Sequence, residues 1–148
     1  MNRSAAVLGT AVVLLALSAV LGLVQWAGRD RSVFGAGSVD AVERAVDDAG
    51  LHACDVTDVP DGLAPASVGS RAYEVATACP GDAVTVVVDR FASAGDRDAA
   101  ARQFESQTRP RGGGTVLTLA DATVELQGAG DDDARRRLVE ALRREGAR

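Results

Sequence analysis

The chain has no lysine and a single histidine, His52, and these two absences remove much of the catalytic repertoire. Without lysine there is no Schiff-base nucleophile and no phosphate-binding P-loop. A Ser-His-Asp triad would have to use His52, and no Gly-x-Ser-x-Gly elbow is present to supply the serine. Zinc needs four ligands, usually in close pairs, whereas the chain holds three Cys and His residues in all. A pair of carboxylates could still hydrolyse a glycoside, but a domain this small rarely builds the cleft that reaction uses. The expectation is a protein that is not an enzyme and carries no metal and no cofactor.

Aromatic residues are scarce as well. After the first 32 residues they are Phe34, Tyr73, Phe91 and Phe104, so a core must rest on Val, Leu and Ala. Such a core buries little area per residue, and at roughly 25 cal/mol per Å² it gains from a covalent staple. Cys54 and Cys79 are the only cysteines. Their separation of 25 residues is far from the two-residue gap of a redox dithiol, so a structural disulfide is expected. Closing a loop of that length stabilises by roughly 3.5 kcal/mol in the chain-entropy model.

What is present begins with a long apolar run. Ala5–Val24 is twenty uncharged residues, and a helix of that length rises about 30 Å, the thickness of a bilayer's hydrocarbon core. A cleaved signal peptide has a shorter apolar stretch and a small-x-small site; Gln25-Trp26-Ala27 is a poor one. Trp26 suits the headgroup interface. No cysteine follows closely, which excludes a lipid-anchored lipoprotein. Residues 1–26 therefore read as a short tail and one membrane span, residues 27–37 as a tether reaching roughly 18 Å, and residues 38–148 as one domain. Ser18 and Gly22 form a small-x-x-x-small pair, common by chance in a span so rich in Ala and Gly. Arg29 and Arg31 against Arg3 slightly favour a cytoplasmic domain, but the short amino tail and the cysteine pair favour an extracytoplasmic one. The expected address is the cell membrane, single-pass, with the carboxyl-terminal domain outside the cytoplasm.

Charge narrows the partners. The overall charge is −5; Arg3, Arg29 and Arg31 against Asp30 give the first 32 residues +2, leaving −7 for the remainder. An acidic domain does not suit nucleic acid, whose phosphates require a basic face. Exclusive use of arginine, with abundant Ala, Val, Gly and Asp, resembles the bias of proteins from high-GC bacteria.

Periodicity assigns the elements of the domain. A first helix is expected from an Ser38 N-cap, with Val39, Val42, Val46 and Ala49 on one face and Gly50 as a left-handed stop. Leu51–Thr57 reads as extended and Asp58–Gly69 as loop. Ala72–Cys79 and Ala83–Phe91 read as a hairpin about Pro80-Gly81-Asp82, the second strand apolar on both faces. Asp96 is the expected cap of a second helix running to about Gln107. Thr115–Leu119 and Ala122–Gln127 read as a second hairpin, with Leu117, Leu119, Val124 and Leu126 on one side. Asp131 opens a last helix whose stripe is Ala134, Leu138 and Leu142. The order fits an α+β fold: a small, circularly rearranged ferredoxin-like sandwich, helices on one face of a mostly antiparallel sheet, with the Ser38 helix packed outside.

Few clusters suggest chemistry. Arg135, Arg136, Arg143 and Arg144, with Arg137, are the candidate interaction surface, for a protein or an anionic envelope surface. Arg109 and Arg111 beside three glycines are a weaker candidate for anion contact. Asp55, Asp58 and Asp61 fall at every third position, where a calcium loop needs every second; they read as polar turn residues. Asp131–Asp133 are explained by the helix start they occupy. The function this supports is a protein-interaction module held at the membrane, with another envelope protein as partner. The alternative is an extracytoplasmic domain that senses or carries a small ligand.

Overall fold

Apolar residues alternating with a period of two build one five-stranded antiparallel sheet, and two amphipathic helices cover its more apolar face. The computed structural model describes residues 37–108, 114–128 and 130–148. In chain order the elements are α1 (Ser38–Asp48), β1 (His52–Val59), β2 (Ser67–Ala76), β3 (Val84–Phe91), α2 (Ala94–Thr108), β4 (Thr115–Thr118), β5 (Ala122–Gln127) and α3 (Asp132–Arg144). The strands lie in the order β1-β2-β3-β5-β4. The expected span at Ala5–Val24, Trp26 and the tether up to residue 36 lie outside the described residues. Among the described residues no helix is long and apolar enough to cross a membrane.

Both expected hairpins form, and the second has the expected register, Leu117 opposite Val124 and Thr115 opposite Leu126. The main core sits between α1, α3 and the sheet face that carries Tyr73, Val75, Val84, Val86, Val88, Val124 and Leu126. The buried stripes of the two helices include alanines (Ala45 and Ala134, both 0 % exposed), whose short side chains take up little space. This is how a core poor in aromatics closes.

The structure departs from expectation in several places. The helices do not all share one face. Phe91, two pleats on from Val87, points away from Val84, Val86 and Val88, and it packs with Ala64, Ala100 and Phe104 of α2 in a separate small cluster. α2 therefore covers the opposite face. Its apolar residues are too few to join the main core. α1 is correspondingly part of that core, not an outside addition, because Val39, Ala41, Val42, Ala45 and Val46 give it a continuous buried stripe.

Helix caps differ too. Gly37, not Ser38, occupies the N-cap of α1 and offers no side-chain bond; Ser38 is buried and its hydroxyl donates to Asp121. Ser93, not Asp96, caps α2: its Oγ accepts from the Asp96 N–H at 3.1 Å and donates to the Asp96 carboxylate at 2.7 Å. Strand β2 starts at Ser67, within the expected loop, and stops at Ala76, short of Cys79. A bulge between Ser67 and Gly69 lets the chain enter the sheet despite its glycine. The expected features of α3 are present: Asp131 Oδ1 accepts from the Asp133 N–H at 2.8 Å, and Arg143 and Arg144 close the last turn.

Candidate functional site

The edge strand is the feature of the sheet that differs most from the rest. Seven of the eight residues of β1 are exposed, and among the described residues it pairs on one side only, with β2. Cys54 is the extra residue of a bulge: Ala53 lies opposite Val75 and Asp55 opposite Glu74. The bulge turns the Cys54 side chain toward the segment after β2, and Cys54 and Cys79 form the disulfide, with Cα atoms 5.5 Å apart. A strand with little buried surface is thus tied covalently to the connection that follows β2. A disulfide in the folded domain is consistent with an oxidising compartment. His52, the single histidine, is exposed at the start of β1.

Beside β1 lies a groove of about 230 Å³ lined by Glu43, Val46, Asp47, Ala53 and Tyr73. Its floor is apolar and its helix wall is acidic. Ala53, Val56 and Asp58 follow one another on this face, opposite Val75, Tyr73 and Arg71. Arg71 ties the wall to the strand: its Nε donates to Asp58 Oδ1 at 2.6 Å and its Nη1 to Glu43 Oε1 at 3.2 Å. The hydrogen bond from Arg71 holds the Asp58 carboxyl below its ordinary range. Burial pushes the Tyr73 phenol up to about 12, so it remains a neutral hydroxyl beside Glu43 Oε1 at 3.4 Å. Asp55 and Asp58 were expected as turn residues; both stand on β1, because the strand runs on to Val59. Among the described residues no group of three His, Cys, Asp or Glu side chains is arranged to hold a metal ion.

A larger cleft, of about 480 Å³, opens where the amino end of α1 meets the carboxyl end of α3. Of its charged residues, Arg44, Arg97, Asp121 and Glu145 have their side chains engaged, and Arg148 is exposed. Arg44 Nη2 pairs with Glu145 Oε2 at 2.6 Å, and Arg97 Nη1 donates to the carbonyls of Leu119 and Ala120 at 3.1 and 2.5 Å. Asp121 accepts from Arg90 at 3.0 Å and from Ser38. A charged ligand contacting any of those four side chains would have to displace bonds already made.

The arginines of α3 do not act as one patch. Arg135 donates to the Gly128 carbonyl and Arg137 Nη1 to the Ala49 carbonyl at 2.7 Å, so both brace the fold. Arg136 pairs with Asp133. Arg143 and Arg144 are exposed near the carboxyl end of the helix. Arg109 and Arg111 lie outside the described residues.

The face under α2 carries a polar row in its interior. Ser70, Asp89 and Thr123 stand opposite one another on β2, β3 and β5, each 0 % exposed, and Glu125 follows Thr123 on the same face. Burial, and secondarily the Asp89 charge, raises the Glu125 carboxyl above its ordinary value of 4.5. A raised carboxyl destabilises the fold once ionised; the cost is absent below the unfolded value and complete above the folded one. Glu125→Gln is therefore expected to raise the melting temperature at neutral pH. The gain should shrink as pH falls and vanish below about 4, where the wild-type carboxyl is protonated in both states. Melting curves across that range check it, and a gain independent of pH would contradict the assignment.

The chain was compared with protein-family models, with curated proteins and with solved structures, and none matches. The functional reading therefore rests on geometry and charge alone.

Proposed function

We propose that this chain is a single-pass, membrane-anchored envelope protein whose extracytoplasmic domain binds another protein. One observation carries the reading: an eight-residue edge strand, almost wholly exposed, is fixed in place by a disulfide instead of by burial. An edge strand of that kind invites pairing with another chain. The apolar Ala5–Val24 run and the disulfide together support the anchor and the compartment. The order β2-β3-β5-β4 matches a rearranged ferredoxin-like sheet with β1 added at its edge, from which the placement of α2 on the opposite face departs. The engagement of Arg44, Arg97, Asp121 and Glu145 in the larger cleft favours a protein partner over a small ligand.

Photo-crosslinking in living cells tests the module. With benzoylphenylalanine placed in turn at the exposed positions Val56, Leu63, Glu105 and Glu140, at least one is expected to give a discrete adduct with another protein. Adducts at none of the four would contradict the reading. A protease added to intact cells stripped of their wall should digest the domain; digestion only after lysis would overturn the proposed orientation.

A further inference from the structure

The charge of the domain is concentrated at its open edge. Ser38–Val59, which is α1 and β1 with their connection, holds six carboxylates against Arg44 alone, so it carries −5 of the −7 found beyond residue 32. The remaining residues are close to neutral. On the groove side Glu43 and Asp47 overhang an apolar floor; on the other face of β1 stands Asp55. Among the described residues no strand pairs with the outer edge of β1.

We propose that β1 accepts an extended, basic segment of a partner protein as a sixth strand, about 4.8 Å beyond it. Backbone hydrogen bonds along the open edge supply the pairing. Side chains alternate between the two faces, and on either face a basic residue meets carboxylates. In the groove, an arginine or lysine stem lies over Ala53 and Val46 while its head reaches Glu43 and Asp47. On the far face it meets Asp55. A second copy of this chain does not fit: antiparallel pairing of two β1 strands would bring Asp55 and Asp58 of each into the other's field. The inference rests on the module reading and adds the site and the chemistry of the partner.

The test uses the full chain in mild detergent and a fluorescein-labelled decapeptide alternating arginine and valine, read by anisotropy at low salt. The peptide is expected to bind, and its counterpart with glutamate in place of arginine is not. N-methylation of alternate backbone nitrogens keeps the charge and removes the edge donors; it should weaken binding at least tenfold. Glu43→Gln with Asp47→Asn, both exposed, should weaken it about fivefold. Equal binding of the N-methylated peptide, an unchanged affinity in the double variant, or no binding at all would each overturn the proposal. So would a stable dimer in sedimentation that excludes the peptide. Crosslinks in cells from Glu105 or Glu140 but none from Val56 would leave the module standing and overturn this site.

Discussion

Replacing Cys54 and Cys79 together by serine is expected to lower the melting temperature by roughly 10–15 °C. The bond closes a loop with a sequence separation of 25, which removes about 3.5 kcal/mol of freedom from the unfolded chain. A domain of this size shifts by about 4 °C per kcal/mol. Few native contacts stand ready to compensate. β1 buries almost nothing of its own, and its side-chain ties to the rest of the domain are exposed, as in the Asp58–Arg71 pair. Exposed ion pairs are worth little. Loss of the bond should therefore show locally before it shows globally: amide exchange should rise across His52–Val59 well below the melting temperature, while β3 and β5 stay protected. A shift under about 3 °C, or exchange that rises uniformly, would mean that β1 is held by something other than the bond. The same variant should lose the decapeptide, since a frayed strand offers no edge.

Much of this domain can be read without coordinates, for definite reasons. The elements with strong periodicity (α1, α3, β3 and the β4–β5 hairpin) fall where the pattern of Val, Leu and Ala puts them, because burial of those side chains decides their structure. The disulfide follows from there being two cysteines and no other use for them. What could not be read is local. Ser38 and Asp96 have the right chemistry for caps, but Ser38 has a better partner in Asp121, 83 positions away, and Ser93 lies closer to the start of α2. The placement of α2 depends on Phe91 and Phe104 preferring the face opposite the main core, a contest between two weakly apolar surfaces. The open edge was hidden for another reason. Its acidic bias is visible in the composition of residues 38–59, yet only the strand order shows that those carboxylates surround a strand at the edge of the sheet and not a central one. The arginines of α3 drew attention by number, and three of them turn out to be occupied within the fold.

Asp89→Ala is expected to destabilise the domain by about 3 kcal/mol, whereas Asp89→Asn should cost far less. The carboxylate is fully buried in the middle of β3, and one oxygen does most of the binding. Oδ1 accepts from the backbone N–H groups of Leu63 and Ala64 at 3.3 and 3.2 Å and from the Ser70 hydroxyl. Those bonds hold the connection between β1 and β2 against the same face that α2 packs on, with Ala64 seated against Phe91. Alanine would leave the Ala64 N–H and the Ser70 hydroxyl without that acceptor, each at about 1–3 kcal/mol before relaxation, while the Leu63 N–H would keep Ser70 Oγ at 2.7 Å. Asparagine keeps an acceptor in the Oδ1 position and removes a buried charge. The other oxygen, Oδ2, has no hydrogen-bond partner among the described residues, so the substitution costs no bond there. Urea melts of the two variants separate the explanations. A large loss for alanine and a small one for asparagine locates the effect in the accepted hydrogen bonds. Equal losses would place it in the charge, and two small ones would mean that the β1–β2 connection does not depend on Asp89 at all.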